Sequence, residues 1–261
     1  MTAPTPLLDF FKRGEVPPDV RLLAAQGALA PRALEQLAIL VLLLDDTDPE
    51  VRNTANETVN RIPTAALTAF LARSDVPISV REFFADRGVF PAEIPALEAD
   101  DPLVDTTPEV KEDVEPGADE DQRRSSITQQ LNTMGFTERL RAASKGSREM
   151  RAILIRDPNR LISATVLSSP KLTEQEVETF SRMSNVGEEI LRVIGSNRRW
   201  TKNYGVVVGL TKNPKTPLTM SMNMMNRLND RDLTMLSNDR NIPEPLRVAA
   251  RKRVVAATSK K

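Results

Sequence analysis

The sequence predicts an all-α protein: short helices in two arrays joined by an acidic segment without structure of its own. Three observations carry this. Pro17, Pro31, Pro49, Pro63, Pro77 and Pro91 recur every 14 residues, with one step of 18 between Pro31 and Pro49. Apolar residues repeat at helical spacing between and beyond them. The stretch from Leu97 to Gln122 breaks the pattern, with eleven acidic residues, three prolines and no aromatic. The expected organisation is an N-terminal array over 1–96, a disordered linker over 97–126 and a C-terminal array over 127–261.

The N-terminal array follows from the prolines. A proline costs nothing at the first position of a helix, where its missing N–H would have no partner. Asp48-Pro49 adds a side-chain cap to that device. Val51, Ala55 and Val59 then share one helical face. The linker is too poor in apolar residues to offset chain entropy, and its like charges repel.

In the C-terminal array the spacing predicts helices near 127–143, 148–156, 158–168, 173–183, 186–196, 201–212, 217–227, 230–238 and 243–257. Thr173 and Glu176 form a capping box. Asp157-Pro158 and Thr216-Pro217 repeat the cap-then-proline device. Asn185 and Asn229 stand three residues ahead of Glu188 and Asp232. Residues 204–208 have the strongest β propensity, but their helical neighbours argue against a lone strand. Weak similarity between Phe11–Gly14 and Ala143–Gly146, and between Ser74–Pro77 and Asn213–Pro217, points to internal duplication of helix pairs that stack to bury an apolar face.

Asp46-Thr47-Asp48-Pro49-Glu50-Val51-Arg52-Asn53-Thr54-Ala55 resembles the opening of the second helix of a HEAT repeat. Residues 136–257 are similar to a family of uncharacterised bacterial proteins related to HEAT and leucine-rich-repeat-variant solenoids. The stretches that carry this are Ile155–Arg160, Ser168–Glu174, Trp200–Tyr204 and Asn213–Leu218. The resemblance implies a HEAT-like α-solenoid and no particular reaction.

Composition excludes several chemistries. The 261 residues include no Cys and no His. Disulfides, Cys/His metal sites, a Cys nucleophile and a Ser-His-Asp triad are therefore absent. No phosphate-loop or nucleophile-elbow motif occurs. The zero net charge sums unlike regions. Residues 1–97 hold 9 basic and 13 acidic groups, 98–122 hold 1 and 11, and 123–261 hold 26 and 12. The start of the sequence shows no signal-peptide pattern, and the longest apolar run is Leu37–Leu44. A cytoplasmic protein without membrane insertion is expected.

The candidate partner-binding residues are Arg198, Arg199, Trp200, Lys202, Tyr204, Lys212, Lys215, Arg247 and Arg251. Trp200 and Tyr204, read as i and i+4 of one helix, are either an aromatic–basic contact site or a structural anchor. Met220, Met222, Met224, Met225 and Met235 form either an adaptable surface or core filler. Carboxylates such as Glu112, Asp113, Glu115, Asp119, Glu120 and Asp121 offer weak cation binding or a cover for the basic half.

These features predict a non-enzymatic scaffold or adaptor that binds another protein, with no cofactor, metal or evident small-molecule substrate. The alternative is binding of nucleic acid or another polyanion by the basic array, gated by the acidic linker. A DNA-processing enzyme, as found among HEAT-like folds, is the remote third reading. Convergence of Arg198, Lys202, Lys215, Arg247 and Arg251 on one concave face would favour nucleic acid.

Overall fold

The computed structural model describes residues 6–29, 31–96, 100–106, 110 and 120–258. Among these the secondary structure is α-helical throughout, with one 3-10 turn at Trp200–Lys202 and no strand. In chain order the helices are α1 Pro6–Lys12, α2 Pro18–Ala25, α3 Ala33–Leu43, α4 Pro49–Arg61, α5 Thr64–Leu71 and α6 Ile78–Ala85. Then follow α7 Glu120–Thr133, α8 Phe136–Lys145, α9 Arg148–Leu154, α10 Arg160–Ser168, α11 Glu174–Arg182 and α12 Glu188–Ser196. The last four are α13 Tyr204–Lys212, α14 Leu218–Met225, α15 Asp230–Asn238 and α16 Glu244–Thr258. The chain divides into two compact units, 1–172 and 173–261.

Pro49 is the first residue of α4, as the spacing predicts, whereas Pro17, Pro63 and Pro77 stand one position earlier, as the N-caps of α2, α5 and α6, and residues 91–96 after the last of the series are not helical. Asp48 accepts the Glu50 N–H at 2.9 Å. Val51 and Ala55 are buried, as their face requires.

The first unit is built around α10. Leu161 through Ser168 are all buried, so this helix needs cover on every side. Its hydroxyls are satisfied within the helix, Thr165 Oγ1 donating to Leu161 O at 2.7 Å. α8, α9 and α1 pack against it, and α1 also packs against α3. Glu35 of α3 lies buried at this junction and accepts the Leu8 N–H of α1 at 3.0 Å. A carboxylate thereby satisfies a free donor at the start of α1. Arg32 N donates to Ser168 O, Ser144 Oγ to Leu29 O, and Ser169 Oγ to Ser144 O, closing the seam.

This packing draws a different division from the one expected. Helices α7 to α10, read from sequence as the start of a C-terminal array, belong to the first compact unit with α1 to α6. The expected structureless segment also needs correction where it is described. Residues 120–126 are helical, and 100–106 are held by hydrogen bonds to α2 and α3. Composition could not show this, because the holding groups lie up to 80 residues away. The rest of the stretch, at 97–99, 107–109 and 111–119, lies outside the described residues. The helix expected over 127–143 is two, broken at Met134-Gly135.

The second unit is regular. Its helices form the pairs α11/α12, α13/α14 and α15/α16, each joined by five residues, 183–187, 213–217 and 239–243. Met183, Asn213 and Asp239 leave their helices with nearly the same extended backbone, φ −73 to −79° and ψ 118 to 121°. Val186, Thr216 and Ile242, fourth in each connector, are buried. α11 packs on α13, and α14 packs on α16. Thr173/Glu176 forms the expected capping box, and Asn229 Oδ1 accepts the Asp232 N–H at 2.8 Å. Three expected caps are displaced. α12 is capped by Gly187 rather than Asn185, α14 follows Pro217 with no side-chain cap, and α10 is capped by Asn159, whose N–H is held by Asp157.

Burial raises the pKa of Glu35, and the hydrogen bonds from Ser168 and Leu8 only partly oppose it. A raised folded value means that the native state holds the proton more tightly than the unfolded chain. Stability from this group therefore falls as pH rises from the ordinary value of 4.5 to the raised one. Chemical denaturation of Glu35→Gln across that window should show this part of the pH slope removed, while Glu35→Ala should lose about 2–4 kcal/mol by orphaning the Leu8 donor and leaving a void.

Candidate functional site

Two stripes of α13 face different neighbours. Gly205 and Gly209 face α11, and their lack of side chains permits a close approach. A Cβ at Gly209 would stand 2.1 Å from Ser181 Oγ, and one at Gly205 would stand 2.3 Å from the Glu178 carboxyl carbon. Tyr204, Val208 and Lys212, spaced i, i+4 and i+8, form the adjoining stripe. Val208 and Lys212 line a groove of about 570 Å³ whose other wall is α15, through Asp232 and Met235. Arg182 at the end of α11 and Arg231 at the start of α15 also line it.

Asp232 ties the groove together. It accepts the Tyr204 hydroxyl on Oδ2 at 2.7 Å and Lys212 Nζ on Oδ1 at 3.0 Å. The Asn229 N–H donates to the Tyr204 hydroxyl at 3.1 Å, so this oxygen both donates and accepts. The Tyr204 hydrogen bond, followed by the Lys212 contacts, holds the Asp232 carboxyl below its ordinary range. Partial desolvation and the Asp232 charge push the Tyr204 hydroxyl up. Asn213 braces the base, donating to Ser181 O at 2.9 Å and Met183 O at 3.0 Å.

Three cations and one carboxylate line the groove, which gives it a positive balance. Met235, 53% exposed, adds apolar surface. Arg182 pairs with Glu178 at 2.5 Å across one helical turn. The lining can therefore receive an anionic chain with apolar side groups.

The structure sorts the sequence-predicted residues into separate places. Lys212 lines the groove, and Tyr204 reaches it through its hydrogen bond to Asp232. Trp200 is 3% exposed in the 3-10 turn. It does not share a helix with Tyr204, because Asn203 is extended between them and caps α13 by accepting the Gly205 N–H. Trp200 is thus a buried anchor. Arg198, Arg199 and Lys202 are exposed before the start of α13, with Arg199 Nε 3.9 Å from Glu174. Lys215 is exposed after its end. Arg247 and Arg251 lie on α16, where Arg251 donates to Ser237 O at 3.3 Å. The two loop groups are separated by the length of α13, about 13 Å for nine residues.

Met224 and Met225 are buried, and Met220 packs over Gly195 of α12, so these methionines serve as core. Glu112, Asp113, Glu115 and Asp119 lie outside the described residues. Among the described residues no three acidic groups are placed to hold a metal ion, and no helix is long and apolar enough to cross a membrane.

Sequence reasoning missed Arg182, Arg231 and Asp232 as groove residues. The available signal was Gly205-x-x-x-Gly209 beside Tyr204-x-x-x-Val208-x-x-x-Lys212, which marks one face of α13 for close packing and the next for an open cleft. Comparison with family models, curated proteins and solved structures finds no match to this chain.

Tyr204→Phe should cost about 1 kcal/mol and move the Asp232 titration up toward its ordinary 3.8, as read by carboxyl carbon NMR. Because the folded value is depressed, the stability from Asp232 is complete above 3.8 and is lost as pH falls through the folded value. Gly209→Ala should separate α11 from α13 at a cost of about 1–3 kcal/mol, measured by thermal unfolding.

Proposed function

We propose that this chain is a non-catalytic helical-repeat adaptor, working in the cytoplasm, whose α13–α15 groove takes an acidic segment of a partner protein. The observation that carries the reading is the lining of Arg182, Lys212 and Arg231 around an apolar floor of Val208 and Met235. The solenoid interpretation rests on the equal five-residue connectors and on the contacts α11·α13 and α14·α16, where like helices of successive pairs meet. The HEAT-like resemblance of Asp46–Ala55 agrees with it.

A protein partner is favoured over nucleic acid by the distribution of the cations. Outside the groove, Arg192 and Arg199 each stand within 4 Å of a carboxylate. Arg198 and Lys202 are separated from Lys215 by the length of α13. A phosphate backbone needs an unbroken basic track, which this arrangement does not supply.

The test is fluorescence anisotropy of the full chain with two probes, a labelled acidic peptide containing leucines and a short DNA duplex, at low and physiological salt. The peptide should bind, and Arg182→Glu with Arg231→Glu should weaken it about tenfold, equivalent to about 1.4 kcal/mol. Binding of the duplex alone at physiological salt would replace this reading with the nucleic-acid one. Binding of neither probe would remove the groove as a docking site.

A further inference from the structure

The first unit holds a second feature, independent of the α13–α15 groove. Residues 100–106 run without helix or strand across α2, α3 and the end of α8, and none of them is fully buried. Two of the residues that hold them are buried. Gln36, 2% exposed, grips the main chain of Val104 with both ends of its amide: Nε2 donates to Val104 O and Oε1 accepts Val104 N–H at 3.0 Å. Lys145, 5% exposed, pairs with Asp105. Arg32 pairs with Asp100 at 3.6 Å. Thr106 Oγ1 donates to Gln26 O at 3.0 Å, at the end of α2. Val104 sits on Gly27, which has φ +76° and where a Cβ would come within 2.8 Å of the valine.

This is how a protein receives a peptide segment. A two-point hydrogen bond to one residue's N–H and C=O recognises main chain without regard to its side chain, as a neighbouring strand would. The side-chain requirements come from elsewhere: a small branched residue over Gly27, and carboxylates for Arg32 and Lys145. The buried Gln36 amide needs such a partner, because left alone it carries a large desolvation cost. The strap's own residues, in contrast, are half-buried or exposed.

We propose that the cleft of α2, α3 and α8 is a binding site for short acidic peptide segments of partner proteins, and that the chain's own Asp100–Thr106 strap occupies it as a tethered competitor. A short tether gives an effective concentration in the millimolar range. An outside peptide of equal chemistry then binds weakly until the strap is weakened.

The test uses the full chain and a labelled synthetic peptide, Asp-Asp-Pro-Leu-Val-Asp-Thr. Loosening the strap with Val104→Gly and Asp105→Lys should tighten peptide binding at least about tenfold relative to the wild type. Adding Gln36→Ala should abolish it. Absence of binding to a loosened variant that keeps its helical circular dichroism overturns the proposal. Loss of the fold in that variant overturns it equally, because the strap would then be structural. Hydrogen exchange on the wild-type chain gives an independent reading. The Val104 amide should exchange by local opening, well ahead of the Leu37 and Leu40 amides of α3. Exchange of all three together would mark the strap as part of the core and end the proposal.

Discussion

The first unit depends on what covers α10. A helix buried on all its sides cannot be stable unless other elements close around it, and here one of those elements is the first helix of the chain. Glu35 fixes that helix in place. Its carboxylate reaches the free N–H groups at the start of α1, while α3 carries it into contact with Ser168 of α10. A buried donor left unmade costs about 1–3 kcal/mol, so the contact selects one docking position for α1. The desolvation of the carboxylate is the opposing cost, visible in its raised pKa. The balance makes Glu35 a specifying group as much as a stabilising one. Because α1 and α10 are far apart in sequence, this junction also sets the limit of the compact unit at Leu172 and leaves no boundary within the acidic stretch.

The second unit follows a different rule, local repetition with one asymmetry. Its connectors are equal in length and backbone form, so its helix pairs are alike. The asymmetry lies in α13. Glycines at 205 and 209 draw this helix onto α11, and the side chains beside them hold α15 off. Tyr204, Asp232 and Lys212 bridge the space that results. The groove is a consequence of residue size along nine positions, and its charge follows from the ends of three helices that meet there.

What could be read from the sequence was what the chain specifies over a few residues. The Asp48 cap, the Thr173/Glu176 box and the Asn229 cap stand as their spacing implies, because each hydrogen bond closes within three residues. The 230–238 helix has the expected limits for the same reason. Readings failed where a partner lay elsewhere. Trp200 and Tyr204 look like one helical face, but Asn203 is drawn into an extended cap and restarts the helix. Residues 100–106 look like free chain because Gln36 and Gln26, which hold them, are 68 and 80 residues away. Glu35 gave no signal, since a glutamate amid leucines reads equally as an exposed position of α3. The groove was half legible: Tyr204 and Lys212 were named for their type, and Asp232, which joins them, was seen only as a capping residue.

Net charge illustrates the same limit. The sum over 123–261 is strongly basic, yet Arg139, Arg182, Arg192 and Lys212 are each answered at close range by a carboxylate. What a partner meets is the local remainder. In the α13–α15 groove that remainder is positive and is set beside a small apolar surface, and the two proposed sites would share one ligand chemistry with different thresholds. As proposed, the open groove would respond to a ligand's own affinity, and the cleft in the first unit only to a ligand that exceeds a competitor tethered in place. Such a chain would distinguish a weak acidic partner from a strong one without any change in its helices.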